Sequence, residues 1–358
     1  MERSLRITAG VLAAMLYGCI LKEEPYEEEK EISTVTEITT GIHPSVSPDG
    51  TLLAFSRNGA IYLSDTSATE VRKLTGGTQY DAYPQWSPDG KTIGFVRMGS
   101  SGSPVGTMMS ISVALQIEKQ LSLSQAVQCF LAGSDGNYYR YASVGFPPWQ
   151  WSSNGSHIAF YSGSDTMTYL TILHSDGSLM MEATLLLYRE RPQFWTGNTA
   201  GFTWLPGTDQ ILCTQRTAND STYLSLFTMS TGSISVVSPY SGASNPSCSD
   251  NGRYAGFFSR RNYQYYVVDN QSATHKKIQA GSSPLRMTPD GKHLISYLSS
   301  YSTSPDYRPS PKIVAINVET GSVRTIAIAP NHYSFSFHPS SQWLYTSRNG
   351  IIRKVPIL

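Results

Sequence analysis

Pro84-Gln85-Trp86-Ser87-Pro88-Asp89-Gly90-Lys91-Thr92-Ile93-Gly94-Phe95 contains the unit from which most of the chain can be read. A short lead-in ends on an aromatic residue, a Ser-Pro-Asp-Gly turn follows, and a β-branched and aromatic run leaves it. In such a turn proline fixes φ, the Asp carboxylate caps the loop and Gly takes positive φ without steric cost. The flanks have the composition of half-buried strands. The unit therefore reads as two antiparallel strands joined by a tight turn.

Working outward, Ser47-Pro48-Asp49-Gly50 and Thr288-Pro289-Asp290-Gly291 are near copies. Ser152-Ser153-Asn154-Gly155 and Ser249-Asp250-Asn251-Gly252 are diverged versions, and Leu205 to Asp209 and His338 to Ser341 hold equivalent places. Lead-ins, often with proline, precede each site, as in Pro44-Ser45-Val46 and Pro246-Ser247-Cys248. A third strand follows, as in Ala60 to Leu63, and a polar turn and fourth strand finish the unit in Asp65 to Thr75. Four strands per unit, repeated seven times with no helical periodicity, predict an all-β, seven-bladed β-propeller of four-stranded blades; six or eight blades are the alternatives. One such sheet cannot bury both faces alone, whereas seven arranged radially can. The last unit, from Tyr333, supplies three strands, and Thr36 to Gly41 looks like a stray fourth strand. That N-terminal strand is expected to join the C-terminal blade and close the ring. Between Gly90 and Trp151 there is excess chain, and Gln125 to Ala142 reads as an inserted hairpin.

The Pro84–Phe95 stretch resembles the TolB-like propeller repeat of bacterial envelope proteins, whose consensus runs Pro-x-Trp-Ser-Pro-Asp-Gly-Lys-x-Ile-Ala-Phe. The resemblance covers roughly residues 36 to 358. It implies the propeller fold and a place in envelope assemblies, although TolB itself has six blades where seven units are read here.

The N-terminus assigns the compartment. Arg3 and Arg6 precede an uncharged apolar run, Ile7 to Gly18, too short to span a bilayer and suited to a signal peptide. Leu16-Tyr17-Gly18-Cys19 resembles a lipobox, with Tyr17 departing from the usual small residue. Residues 1–18 are thus expected to be a signal peptide, 19–34 a lipidated Cys19 with an acidic tether, and 35–358 the propeller. Seven Glu against two Lys give residues 20–40 a charge of −5, too charged to bury surface. Ile20 in place of Asp lacks the inner-membrane retention signal. The expectation is an exported lipoprotein on the bacterial outer membrane, facing periplasm or cell surface, touching the membrane only through its lipid, and monomeric.

Residues 41–358 carry +5, far from the dense basic stripe of a nucleic-acid binder, so DNA and RNA are not expected partners. Of four cysteines, Cys213 and Cys248 sit in apolar strand patterns and read as small core residues. No nucleophile elbow, phosphate loop or His-Glu-x-x-His occurs. No catalytic residue, cofactor or metal is assigned.

Two groups of residues stand out. His43 and His332 lead into innermost strands of neighbouring blades, and with Asp81 they are expected at the channel mouth, either as polar lining of a wet channel or as an acid–base or metal cluster; lining is the expected role. Arg57, Arg97, Arg216, Arg260 and Arg348 recur just after the second strand. That position opens the loop to the third, so they are expected to ring one face, either as a basic rim that meets an anionic partner or as a position of the repeat that simply tolerates arginine. Loops of the same class, Met98 to Gly106 and Ser299 to Pro311, are long, and Tyr301 and Tyr307 with Arg308, Tyr263 and Tyr265 add aromatic contact surface. The combined expectation is a non-catalytic scaffold that binds an envelope protein or peptide. The alternative is a carbohydrate-binding propeller, or a polysaccharide lyase or hydrolase, acting on an anionic glycan.

Overall fold

The computed structural model describes residues 35–100, 103, 105–122, 127–128, 130–132, 138–140, 148–163, 167–187, 201–216, 222–237, 242–259, 264–272, 274–279, 284–298, 312–328 and 332–357. Seven four-strand blades of a β-propeller follow one another, with no helix among the described residues. Blade 1 runs from Ile42–Val46 to Arg72–Lys73 and blade 2 from Tyr80–Trp86 to Glu118–Gln120. Blade 3 spans Trp149–Trp151 to Leu179–Leu187, blade 4 Phe202–Trp204 to Ser233–Val236, blade 5 Ala243–Cys248 to Thr274–Gln279, and blade 6 Pro284–Met287 to Val323–Ile328. Blade 7 takes His332–Phe337, Trp343–Arg348 and Ile351–Pro356, and its outer strand is Thr36–Thr40 from the other end of the chain. Thr36 faces Lys354 and Thr40 faces Ile351, so the ring closes by pairing its two ends as the stray fourth strand predicts. The excess chain after blade 2 adds Val127–Gln128 to that blade's third strand and pairs Phe130–Ala132 with Tyr138–Arg140, the expected hairpin.

The repeated turn works through its side chains. Ser47 Oγ donates to Asp49 Oδ1 (2.5 Å) and accepts from Leu52 N (2.9 Å), while Asp49 Oδ1 accepts from Thr51 N (3.0 Å). Ser87 with Asp89, and Thr288 with Asp290, repeat this pattern. In blades 3 and 5 Asn154 and Asn251 replace the aspartate and accept the same two bonds. An amide oxygen serves because the turn needs one acceptor, not a charge. The hydroxyl bonds hold Asp49 and Asp89 below the usual carboxylate range. Adjacent turns also link directly: Asp250 N donates to Pro289 O (2.9 Å) and Asp290 N to Ser341 Oγ (3.0 Å).

Alternation along each strand divides its residues between two neighbours. In blade 1, Leu53 and Phe55 pack with Tyr345 and Ile352 of blade 7, whereas Ala54 packs with Trp86 and Phe95 of blade 2. Among the described residues there are seven such apolar clusters, one for each interface between blades. Cys213 is buried between blades 3 and 4, and burial pushes its thiol up to about 12. Gly94 is small because Trp149 of blade 3 lies where a Cβ would stand.

The tryptophans of the lead-ins tie the innermost strands together. Trp86 Nε1 donates to Ser45 O (3.1 Å), Trp151 Nε1 to Gln85 O (3.3 Å) and Trp204 Nε1 to Gln150 O (3.4 Å), each reaching one blade back. Gln150 Nε2 reaches forward to Phe202 O (2.9 Å), and Gln85 Nε2 does so to Trp149 O. At the closure Val46 stands where the tryptophan would, and the link runs from backbone to serines instead: Val46 N donates to Ser336 Oγ (3.0 Å) and His43 N to Ser334 Oγ (3.1 Å).

Candidate functional site at the channel mouth

Innermost strands begin at the end of the ring where second strands finish, since Ile42 faces Ser56 and Asp81 faces Arg97. This end holds the loops between second and third strands, opposite the Ser-Pro-Asp-Gly turns. The innermost strands of blades 1, 2, 5, 6 and 7 shift register just inside it, and three of the bulges fall at an Xaa-Pro pair. In blades 1, 2 and 5, His43-Pro44, Tyr83-Pro84 and Asn245-Pro246 each set two residues against one, opposite Phe55, Phe95 and Phe257. The bulged residues sit at φ 54°, 55° and 49°. Proline disfavours the right-handed helical region for the residue before it, and the left-handed conformation turns the chain sharply enough to bulge. For His and Tyr that conformation costs on the order of 1–3 kcal/mol. The two strained rings stack on each other across blades 1 and 2, with centroids 4.0 Å apart and planes at 28°.

Two residues further out along the innermost strand of blade 2, at Asp81, lies an ion triad. Arg97 Nε and Nη2 donate to Asp81 Oδ1 and Oδ2 at 2.7 and 2.8 Å, and Nη1 meets Glu118 Oε2 at 2.8 Å. Asp81 is buried, with its side chain 3% exposed, and the arginine is raised above its ordinary range chiefly by the Asp81 hydrogen bonds. Two carboxylates around one guanidinium leave the triad with a formal charge of −1. Arg97 also forms part of the wall of a groove of about 450 Å³, together with Gln79, Ser103, Thr107 and Gln120.

The second strands run further than the sequence reading has them. Arg57, Arg216 and Arg348 end their strands, and Arg97 lies inside Thr92–Met98, so these arginines do not open the loop. Strand alternation, not loop geometry, then sets their direction. Two residues expected at the mouth are thereby cross-strand partners of two of these arginines: Asp81 faces Arg97, and His332 faces Arg348. Arg57 lies over the Tyr62 ring, its Cζ 4.1 Å from the centroid. The side chains of Arg216, His332 and Arg348 fall outside the described ones, as do Cys19, Arg260, Tyr263, Tyr301, Tyr307 and Arg308. Tyr265 is not contact surface: it is fully buried between blades 5 and 6, and its hydroxyl pairs with Ser247 Oγ at 2.6 Å.

Glu118 and Tyr83 escape the sequence reading. Tyr83 had a signal, since Tyr83-Pro84 and His43-Pro44 stand the same distance before their turns. Glu118 had none, because its meeting with Arg97 depends on how the third and fourth strands fold back. Among the described residues no group of three or more His, Cys, Asp or Glu is placed to hold a metal ion.

No protein-family model and no curated protein matches this chain. Solved structures do. An oligogalacturonate lyase in complex with manganese aligns over 92% of this chain and 95% of its own, with 13% identity and a TM-score of 0.62. An oligogalacturonate lyase from Vibrio parahaemolyticus aligns over 91% and 92%, with 10% identity and a TM-score of 0.58. TolB from Acinetobacter baumannii overlaps more loosely, over 91% of this chain and 64% of its own, with 10% identity and a TM-score of 0.45. The two lyases share the whole ring with this chain. At such identities this is a likeness of fold, which does not by itself carry function.

Proposed function

We propose that this chain is a non-catalytic binding propeller of the bacterial envelope, monomeric and held to the outer membrane by lipid on Cys19, which engages a protein or peptide at the channel-mouth end. The observation that carries the reading is the Asp81–Arg97–Glu118 triad beside its groove. The guanidinium there is compensated by two carboxylates, which rigidifies a recognition surface and leaves it no net positive charge for a substrate anion. His43 and Tyr83, buried and stacked on each other behind it, stiffen the same end of the ring without themselves offering contact surface.

The second reading, binding or cleavage of an anionic glycan, is favoured by the whole-length likeness to oligogalacturonate lyases and by Arg57, whose guanidinium rests on an aromatic face instead of a carboxylate. Crosslinking cells with a C-terminally tagged copy and purifying it from envelopes separates the two. One envelope protein recovered in near-equal amount is the expected result. Recovery of glycan alone, or shortening of acidic oligosaccharides by the purified chain, overturns the scaffold reading. Palmitate labelling lost in Cys19→Ala is the result expected for the anchor.

A further inference from the structure

At the turn end of blade 3, far along the strands from the channel mouth, two histidines face each other. His157 opens the second strand, His174 closes the third, and the register places them directly opposite. The flanking pair is the one that hydrogen-bonds, Ser175 N donating to Ser156 O (2.8 Å), while His174 N turns outward to Ser178 O (2.9 Å). His157 and His174 thus form a non-hydrogen-bonded pair, the kind whose side chains approach most closely. Their ring centroids are 5.1 Å apart.

That separation has a chemical meaning. A zinc-type ion sits about 2.0–2.1 Å from an imidazole nitrogen, hence about 3.2 Å from the ring centre, and two imidazoles at a tetrahedral angle have centroids about 5.2 Å apart. The His157 ring is also oriented. Its Nδ1 is 2.7 Å from Ser156 Oγ, which leaves Nε2 free to carry the lone pair, and Trp204 of blade 4 lies alongside with centroids 6.4 Å apart. A fixed outer partner of this type raises ligand basicity and selects the tautomer. His174 is exposed and able to swing toward an ion. Asp176, two residues on, lies near His174 and Lys119; its Oδ1 accepts from Ser178 N and Oγ, and it serves as a nearby negative charge instead of a ligand. Two imidazoles with the remaining positions open to water suit borderline transition-metal cations and not Mg²⁺ or Ca²⁺, which want oxygen.

We infer that His157 and His174 form a two-histidine site for a divalent transition-metal ion, of the Zn²⁺, Ni²⁺ or Cu²⁺ class, that clips the second and third strands of blade 3 at the turn end. Proximity of two otherwise protonatable rings makes the site pH-dependent, because both must be neutral to bind.

The test is calorimetric titration of the purified full-length chain with Ni²⁺ and Zn²⁺ at pH 7.5, in parallel with tryptophan fluorescence under Cu²⁺. One ion per chain with micromolar affinity is expected, together with quenching and a rise in melting temperature. Affinity should fall tenfold or more in His174→Ala, whose exposed position leaves folding intact, and equally in His157→Gln. It should survive His338→Ala and be lost at pH 5. Undiminished binding in both His174→Ala and His157→Gln, or no binding by the parent chain, overturns the assignment.

Discussion

The two ends of the ring are built on opposite plans. At the turn end, a hydroxyl and an acceptor two residues on bind the same backbone atoms in five blades, and neighbouring turns are linked to one another. At the loop end nothing repeats so closely: three blades bulge with strained residues, one carries an ion triad, and the loops differ in length. A turn whose job is local can be copied from blade to blade, since each copy satisfies itself. The loop end is under no such local rule, so its blades are free to differ, as a surface proposed to meet an asymmetric partner would. Loops on a rigid scaffold are where that variation is tolerated.

The same chemical change applied at both ends should break this symmetry of plan most visibly. Asp81→Asn removes the charge from a buried pair and leaves the Arg97 guanidinium half-satisfied, so a loss of about 3 kcal/mol is expected in urea unfolding. A loss below ~1 kcal/mol would mean that water reaches the triad and that the mouth is not preorganised. Gly94→Ala comes next: its methyl group meets the Trp149 ring, and overpacking of this kind costs roughly 1–3 kcal/mol, read as a lower melting temperature. Ser87→Ala deletes the hydroxyl that bonds Asp89 and Thr92 N, and about 1–2 kcal/mol should be lost.

Asp49→Asn keeps the acceptor, as Asn154 and Asn251 do in other blades, so at pH 7 it should lose only the small extra stability of the charged form, the least of these effects. In acid, where the parent loses that contribution too, the two proteins should converge. Asp49 and Asp89 titrate below their unfolded values, so the stability they contribute is complete above about pH 4 and is lost as pH falls through their lower folded values. Asp49→Asn should flatten that acid limb in a pH series of melting temperatures. An unchanged limb would assign acid sensitivity elsewhere. His157 and His293, lowered mainly by burial, act at higher pH: their contribution is present above about 6.5 and declines as pH drops through their folded values.

How much was legible follows from how far each interaction reaches along the chain. The seven turns, their strands and the closing strand are local patterns or direct copies of one, and Thr36 to Gly41 announced itself because it resembles Arg72 to Gly77. The arginines were visible as a recurrence, yet their setting was misread by one or two residues. That was enough to hide that Asp81 and Arg97 are partners. Tyr265 looked like surface because Tyr suits both places, and only the packing of blade 6 against blade 5 buries it.

By itself the sequence determined the class of fold, the repeat, the blade boundaries marked by turns and the way the ring closes. Each of these rests on short-range rules of φ, hydroxyl caps and strand alternation. The tertiary structure alone decided which side chains meet: His43 with Tyr83 across blades, Asp81 and Glu118 around Arg97, His157 with His174 across strands. Those meetings depend on register, on the bulges that shift it and on the angle between neighbouring sheets, and a displacement of one residue turns a side chain to the opposite face.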